Sequence, residues 1–337
     1  MFLLLILIFA GMIDPVFAQT SDSSLQSKIV SIPGGEDGIN FDELAFSTDS
    51  HKILVPAGQR GMLYLINPQS LEMTSIGGFS SHDSFQFWND TGIYSADEEQ
   101  GFIFIPDHGK HQLMMVDINA GIIVGQADLA GDPNDVRSTG VNGEVWVTEP
   151  RNKQIEVFKY LGSSSQVLKS SAVISLSGSP GFLLIDRQRG LAYTNFGNQM
   201  LAIGLRSHLT ANLKFPTVCQ TPRGAALDEQ KNFLFISCQE GKVITLDLNH
   251  DNKEISNLDI DSGADMVSYN SKLSHLYVAS GTNASLSVLW VSSQGELSLL
   301  GQAHTDSKAH CVVSDDQNNI WVCDPPHGQL LLFKDTL

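Results

Sequence analysis

The chain is short of positive charge. Its 337 residues carry 20 Lys and Arg against 37 Asp and Glu, a formal net charge of −17, and the basic residues form no cluster. A phosphate backbone is repelled by such a field unless a local basic patch offsets it, so nucleic acid is excluded as the expected partner. The usual enzyme signatures are also missing. There is no GxSxG, HExxH, GxxxxGK[ST] or paired CxxC, which removes the sequence evidence for an α/β-hydrolase, a zincin, a P-loop enzyme or a zinc ribbon. Beyond the N-terminus no run of 18 apolar residues occurs, so no membrane span is expected in the mature chain.

The first residues, "MFLLLILIFAGMIDPVFAQT", lack a Lys or Arg ahead of the apolar stretch from Phe2 to Ala10. The rest of a secretory layout is present: a polar break at Asp14-Pro15, then "VFA" ending at Ala18 with small residues at the cleavage positions. The expectation is a signal peptide over 1–18, a flexible segment over 19–26, and a secreted or periplasmic protein. An uncleaved anchor or a buried N-terminal strand is the alternative. Cleavage would remove only Asp14 among charged groups and leave a net charge of −16. An exported chain meets an oxidising compartment, where its four cysteines can pair.

A chain of this length could form two domains or one large β unit, and its internal repeats choose between them. Seven hairpin signatures recur, among them "KILVPAGQRGMLYLIN", "EVWVTEPRNKQIEVFK" and "NIWVCDPPHGQLLLFK". Each is an apolar strand, a turn rich in Gly, Asn, Pro or Asp, and a second apolar or alternating strand. Their first strands begin near Ile53, Phe102, Val145, Leu191, Phe233, Leu276 and Ile320, a period of roughly 42 to 50 residues that suits four strands per propeller blade. A short strand precedes each hairpin, weakest in the third copy ("DVRSTGVNG"), and a fourth strand follows it. The seventh copy lacks its fourth strand, whereas "KIVSIPGG" near the N-terminus is a strand without a blade. Pairing the two closes the ring and removes an aggregation-prone edge; two stacked β domains would leave that complementarity unexplained. The fold predicted is all-β: a single seven-bladed β-propeller over 27–337, with four-stranded antiparallel blades and a ring closed by the N-terminal strand.

The hairpins "AYTNFGN", "LYVASGTN" and "VWVTEP" resemble the YVTN-type repeats of YncE-like seven-bladed propellers, and the likeness covers nearly all of the mature chain. The resemblance implies an exported protein and says little of activity, since many such propellers have none known. The haem d1 propeller of nitrite reductases is a more distant likeness. No CxxCH is present, so covalent haem c is not supported, and no axial or stacking ligands for haem d1 or a quinone can be assigned.

Blade geometry turns cysteine spacing into a pairing. Cys219 precedes the first strand of blade five and Cys238 ends its second; Cys311 lies in the first strand of blade seven and Cys323 at the end of its second. The disulfides expected are Cys219–Cys238 and Cys311–Cys323, with a four-cysteine metal site disfavoured because the pairs belong to non-adjacent blades. The stretch "DLNHDNKE" imitates a calcium loop, but Asn252 stands where Gly is needed and Leu258 where the bidentate Glu is needed. It is read as a solvated turn.

Candidate site residues follow from equivalent blade positions, because loops entering the innermost strands share a face with those leaving the second strands. The first set supplies Asp42 with Glu43, Asp90, Asp135, Arg223, Asp265 and His310; the second supplies Asp107, Glu149, Asn195 and Asp324. Ligand binding is assigned to Asp42, Glu43, Asp135, Arg223, Asp265, His310, Glu149 and Asp324. A divalent cation such as calcium, if held, falls to Asp42, Asp107, Glu149, Asn195 and Asp265. The reading is a binding or interaction protein that offers an acidic channel face to a small ligand, a cation or a partner protein. The alternative is a metal-assisted hydrolase or lactonase with His310 as general base. Asp and Asn are also ordinary turn residues where strands begin, so only convergence in space makes such a set a site. A longer insertion over 80–92, carrying His82, Phe85, Phe87 and Trp88, has the composition of a flap over the channel mouth or of an apolar packing element. The sequons at Asn89 and Asn283 matter only in a glycosylating host.

Overall fold

The computed structural model describes residues 25–83, 85, 91–161, 167–213, 215–216 and 218–337. The proposed signal segment 1–18, together with Phe87, Trp88, Asn89 and Asp90, lies outside the described residues. Among the described residues, twenty-eight strands form seven antiparallel sheets of four. Six blades run in simple sequence order over 45–76, 97–128, 136–175, 183–213, 222–259 and 264–304; the seventh combines three C-terminal strands with Ser27–Ser31. The described residues contain no helix long and apolar enough to cross a membrane.

Strand composition explains the layering. The second strand of a blade is covered on both faces by neighbouring blades, so Phe102–Asp107, Glu144–Glu149, Phe233–Cys238, His275–Ser280 and Asn319–Asp324 are buried at every position. These are the continuous apolar runs by which the repeat shows itself. Outer strands face solvent and are largely uncovered, as in Ile122–Asp128 and Lys253–Asp259. Four blades shift register between their third and fourth strands, at Met115/Val116, Val157/Phe158, Thr245/Leu246 and Val288/Leu289. Such bulges add local twist where the sheet is widest.

The ring closes as its sequence implies. Ser27–Ser31 runs antiparallel to Gln329–Lys334, with Ser27 opposite Phe333 and Ser31 opposite Gln329. Val30 and Ile32 are buried in the cluster that holds Trp321 and Leu330. The chain then crosses the rim of blade seven, where Ile39 N–H donates to Pro325 O at 3.0 Å. Gly35 and Gly328 touch backbone to backbone; a Cβ on Gly328, whose φ is +55°, would lie 2.0 Å from Gly35 O. Only glycine allows that crossing.

Both disulfides form as expected, Cys219–Cys238 and Cys311–Cys323, and no described cysteine is unpaired. Paired, buried cysteines mark an oxidising, non-cytosolic environment. The Asp247 segment is a turn: Asp247 Oδ1 accepts Asn249 N–H at 2.9 Å and Oδ2 lies 2.6 Å from His250 Nδ1.

Candidate functional site

The first strands line the central channel. Residues 43–44, 135, 137, 182–184, 224–225, 266–268 and 312–313 surround a cavity of about 110 Å³, and the segments that enter these strands form its mouth. Two of those loops are shaped by bulges. Pairing jumps from Pro222 to Ala225 in blade five and from Ala264 to Val267 in blade six, which puts Arg223 and Asp265 on the extra residues. A bulge re-aims a side chain that regular alternation would fix. Ser237 Oγ ties the two together, accepting Gly224 N–H at 2.9 Å and donating to Asp265 O.

Asp42 arrives from the N-terminal crossing segment, held by the buried side chains of Ile39, Phe41 and Leu44. His310 ends the loop before blade seven. Its Nδ1 donates to Lys308 O at 2.6 Å and its Nε2 faces Asp42 Oδ1 at 4.0 Å. The next residue, Cys311, is fixed by its disulfide and by its N–H donated to Cys323 Sγ at 3.0 Å. Backbone bonds step across three blades beneath these side chains: Gly263 N–H to Gln239 O at 2.8 Å, Gly281 N–H to Gly263 O at 3.2 Å, and Lys308 N–H to Gly281 O at 2.9 Å. The resulting cleft of about 280 Å³ is lined by Asp42, Asp265, His310, Lys308, Gln239 and Thr282, with the glycines forming the floor.

Electrostatics set the mouth apart. Burial pushes Asp42 up to about 6; His310 opposes the rise, while Asp265 and Glu43 add to it. Asp265 is also raised by burial, against the pull of His310 and Arg223. Below the mouth, Glu43 and Arg137 form a forked ion pair that includes Nη1 to Oε2 at 3.0 Å. Ser95 Oγ donates to the same Oε2 at 2.6 Å. Burial works against the Arg137 charge, yet Glu43, Asp135 and Asp97 outweigh it and hold the guanidinium pKa above its ordinary value. Asp135 accepts Leu183 N–H at 2.9 Å and Asn134 Nδ2 at 3.0 Å. Burial nevertheless raises it to about 7, with Arg137 pulling down and Glu43 and Asp42 pushing up.

The assigned residues therefore divide. Asp42, Asp265 and His310 share the mouth, with Arg223 beside it, its Nε donating to Gln239 Oε1 at 3.0 Å. Glu43 and Asp135 lie deeper in the channel. The second-strand residues are engaged locally, one strand further from the axis. Asp107 accepts Ser80 N–H at 2.7 Å and Lys110 N–H at 3.1 Å. Asn195 Nδ2 donates to Gly197 O at 3.2 Å and Pro222 O at 3.4 Å. Asp324 accepts Gln329 Nε2 at 2.7 Å and pairs with His327. Glu149 accepts Gln154 Nε2 at 2.6 Å.

No three of the carboxylates assigned to a cation have ligating oxygens within 4.8 Å of one another among the described residues; a group of that size forms instead from Asp306, Asp324 and His327 at the exposed rim. Sequence reasoning missed Arg137, Lys308 and Gln239. Arg137 had a signal, since it lies two residues after Asp135 on a strand, hence on the same face, but it falls in the least regular repeat. Of the 80–92 insertion, Phe85 is placed with its ring 5.6 Å from Lys308 Nζ.

No family profile and no curated protein sequence matches the chain. Solved structures do match in fold. A chain of the mitotic checkpoint complex superposes with a TM-score of 0.74 at 11% identity, over 99% of this chain and 98% of that one. Virginiamycin B lyase from Staphylococcus aureus gives 0.71 at 12% identity, over 92% and 99%. The WD40 repeats of RRP9 give 0.73 at 8% identity, over 92% and 98%. At such identities the likeness is one of fold.

Proposed function

We propose that this propeller is an exported binding protein of the YVTN-repeat kind whose ligand seats in the channel-mouth cleft. The observation that carries the reading is convergence: Asp42 and His310, from two loops, and Asp265, from a strand bulge, face one cleft of about 280 Å³. Two disulfides support the reading by bracing its walls, since Cys238 precedes Gln239 and Cys311 follows His310. Convergent polar groups in a formed concavity are what a small-ligand site requires. The test is a soluble-metabolite screen by NMR on the protein and on Thr282→Trp, which fills the cleft. Compounds that shift the resonances of Gln239 and His310 in the parent protein only would support the site; shifts that persist in the filled variant would place binding elsewhere.

A second reading, a hydrolase or lactonase with His310 as base, has one observation in its favour. The Nδ1 hydrogen bond to Lys308 O orients the ring and turns Nε2 toward Asp42. Turnover of simple esters or lactones that disappears in His310→Ala would establish it.

A further inference from the structure

Blade three buries a pair of acids outside both the channel and the cleft. Glu149 ends its second strand and Glu156 stands diagonally across on the third, with only 0% and 5% of their surfaces exposed. Consecutive amides of one loop grip the two. Ala130 N–H donates to Glu156 Oε2 at 3.0 Å, and the Gly131 N–H approaches the Glu149 carboxylate. Neighbouring amides can reach two acceptors only where those acceptors are close, and the two carboxyls hydrogen-bond each other. Their remaining donors are neutral: Gln154 Nε2 to Glu149 and Ser170 Oγ to Glu156, both at 2.6 Å. The cations alongside, Arg151 and His111, pair with Asp132 instead, at 2.5 and 3.5 Å.

Two carboxyls in contact without a cation cannot both ionise cheaply, so they share a proton. Among the described residues Glu149 and Glu156 belong to no group of three metal-ligating side chains, and a metal does not stand in for that proton. The loop over the pair, residues 129–134, contains no strand. Besides the two acids it is held by Leu129 N–H to His111 O at 2.9 Å and by Asn152 Nδ2 to Ala130 O at 3.3 Å. At its far end Asn134 N–H donates to Thr148 O at 2.8 Å and Asp135 N–H to Thr148 Oγ1 at 2.9 Å. One end of the loop thus rests on the acid pair, and the other carries Asp135 into the channel wall.

We propose that the 129–134 loop is a proton-controlled cover on the side wall of the channel: it stays seated while Glu149 and Glu156 share a proton, and loss of that proton releases it and opens Asp135 to water. Ionising both acids under the seated loop sets two charges against neutral donors alone. Lifting the loop lets water solvate them and breaks no strand pairing. Burial and Glu156 hold the Glu149 carboxyl up at about 7, against the pull of Gln154 and the Gly131 N–H. A carboxyl raised in the seated form favours that form fully at low pH, and the advantage is lost as pH rises through about 7. His111 is the other group at the loop whose charge can change near neutral pH, and its partner Asp132 lies on the loop itself.

Amide hydrogen exchange of the protein with its disulfides intact, followed by mass spectrometry at pH 5.5 and 8.0 and corrected for the intrinsic rate, reads the loop directly. The expected result is that protection of the 129–134 segment falls by at least about tenfold between the two pH values, while Gln154–Leu161 on the same blade keeps its protection. In Glu149→Gln, and equally in Glu156→Gln, the loop should be as protected at pH 8.0 as at pH 5.5, because one neutral amide removes the second charge and keeps the shape. His111→Gln should retain the response of the parent. Loop protection that does not change with pH in the parent overturns the inference. So does a fall that persists in both amide variants, a fall shared by Gln154–Leu161, or a response that vanishes in His111→Gln.

Discussion

Glu149 offers a sharp test of the buried electrostatics, because its substitution by glutamine changes charge while keeping shape. The residue is fully buried, its Oε2 accepts Gln154 Nε2 at 2.6 Å, and its Oε1 has no partner of full hydrogen-bond geometry among the described residues, the Gly131 N–H being the donor that approaches the carboxylate. Glu149 opposes Gln154 and Val147 opposes Glu156, so the two glutamates are diagonal neighbours on one face. Burial raises Glu149 from 4.5 to about 7; Gln154 and the Gly131 N–H oppose the rise, and the hydrogen bond and charge of Glu156 add to it. Each pKa unit corresponds to about 1.4 kcal/mol, so the gap amounts to about 3 kcal/mol.

The sign follows from linkage. A carboxyl whose folded pKa is raised holds its proton more tightly in the native state. Its stability contribution is whole below the unfolded value of 4.5 and is lost as pH rises through about 7. Glu149→Gln keeps a donor for Glu156 and an acceptor for Gln154 at every pH. The variant is expected to match the parent at pH 4.5 and to exceed it by about 2–3 kcal/mol at pH 8. Urea unfolding at both pH values, with the disulfides intact, measures the difference. Parent and variant curves that stay parallel from pH 4.5 to 8 would refute the reasoning.

Three further outcomes are expected. Val30→Asp buries a charge against Trp321 and Leu330 and undoes ring closure, so it lowers stability by about 3 kcal/mol or more and yields oligomers through the exposed Gln329–Lys334 edge; a monomer of unchanged melting temperature contradicts this. Arg137→Leu strands Glu43 and Asp135 and costs about 3–5 kcal/mol at pH 8, while the Asp135 carboxyl, already pushed up by burial and now without the opposing Arg137 charge, titrates higher than in the parent when both are followed by carbon NMR; a value that falls contradicts it. Cys311→Ser/Cys323→Ser removes a link of sequence separation 12 and costs about 2–4 kcal/mol, measured by urea unfolding; a loss that also appears in the parent under strong reductant, and is not additive with it, identifies the same bond.

Much of the fold was legible because blades are local objects. A hairpin's strands, turn and buried faces lie within about twenty residues, so the repeat is visible along the chain. The missing fourth strand after Lys334 and the orphan strand at Ser27–Ser31 are likewise visible. The disulfides followed for the same reason: cysteines flanking paired strands of one blade must meet. The least regular repeat, blade three, hid Arg137, whose partner Glu43 is 94 positions away.

The site was legible only in part. Equivalence between blades says which residues stand on one face, not which reach the axis. Asp107, Glu149, Asn195 and Asp324 satisfy that equivalence but sit one strand out, where local amide and side-chain donors take up their polar atoms. Thus the alternation and spacing of residues determined seven blades, their closure and their two staples, since each depends on hydrogen bonds and contacts between near neighbours. Which polar residues share the mouth was decided by the ring itself. Convergence there depends on two bulges, a crossing glycine pair and distances between loops separated by tens to hundreds of residues, and no local pattern encodes those distances.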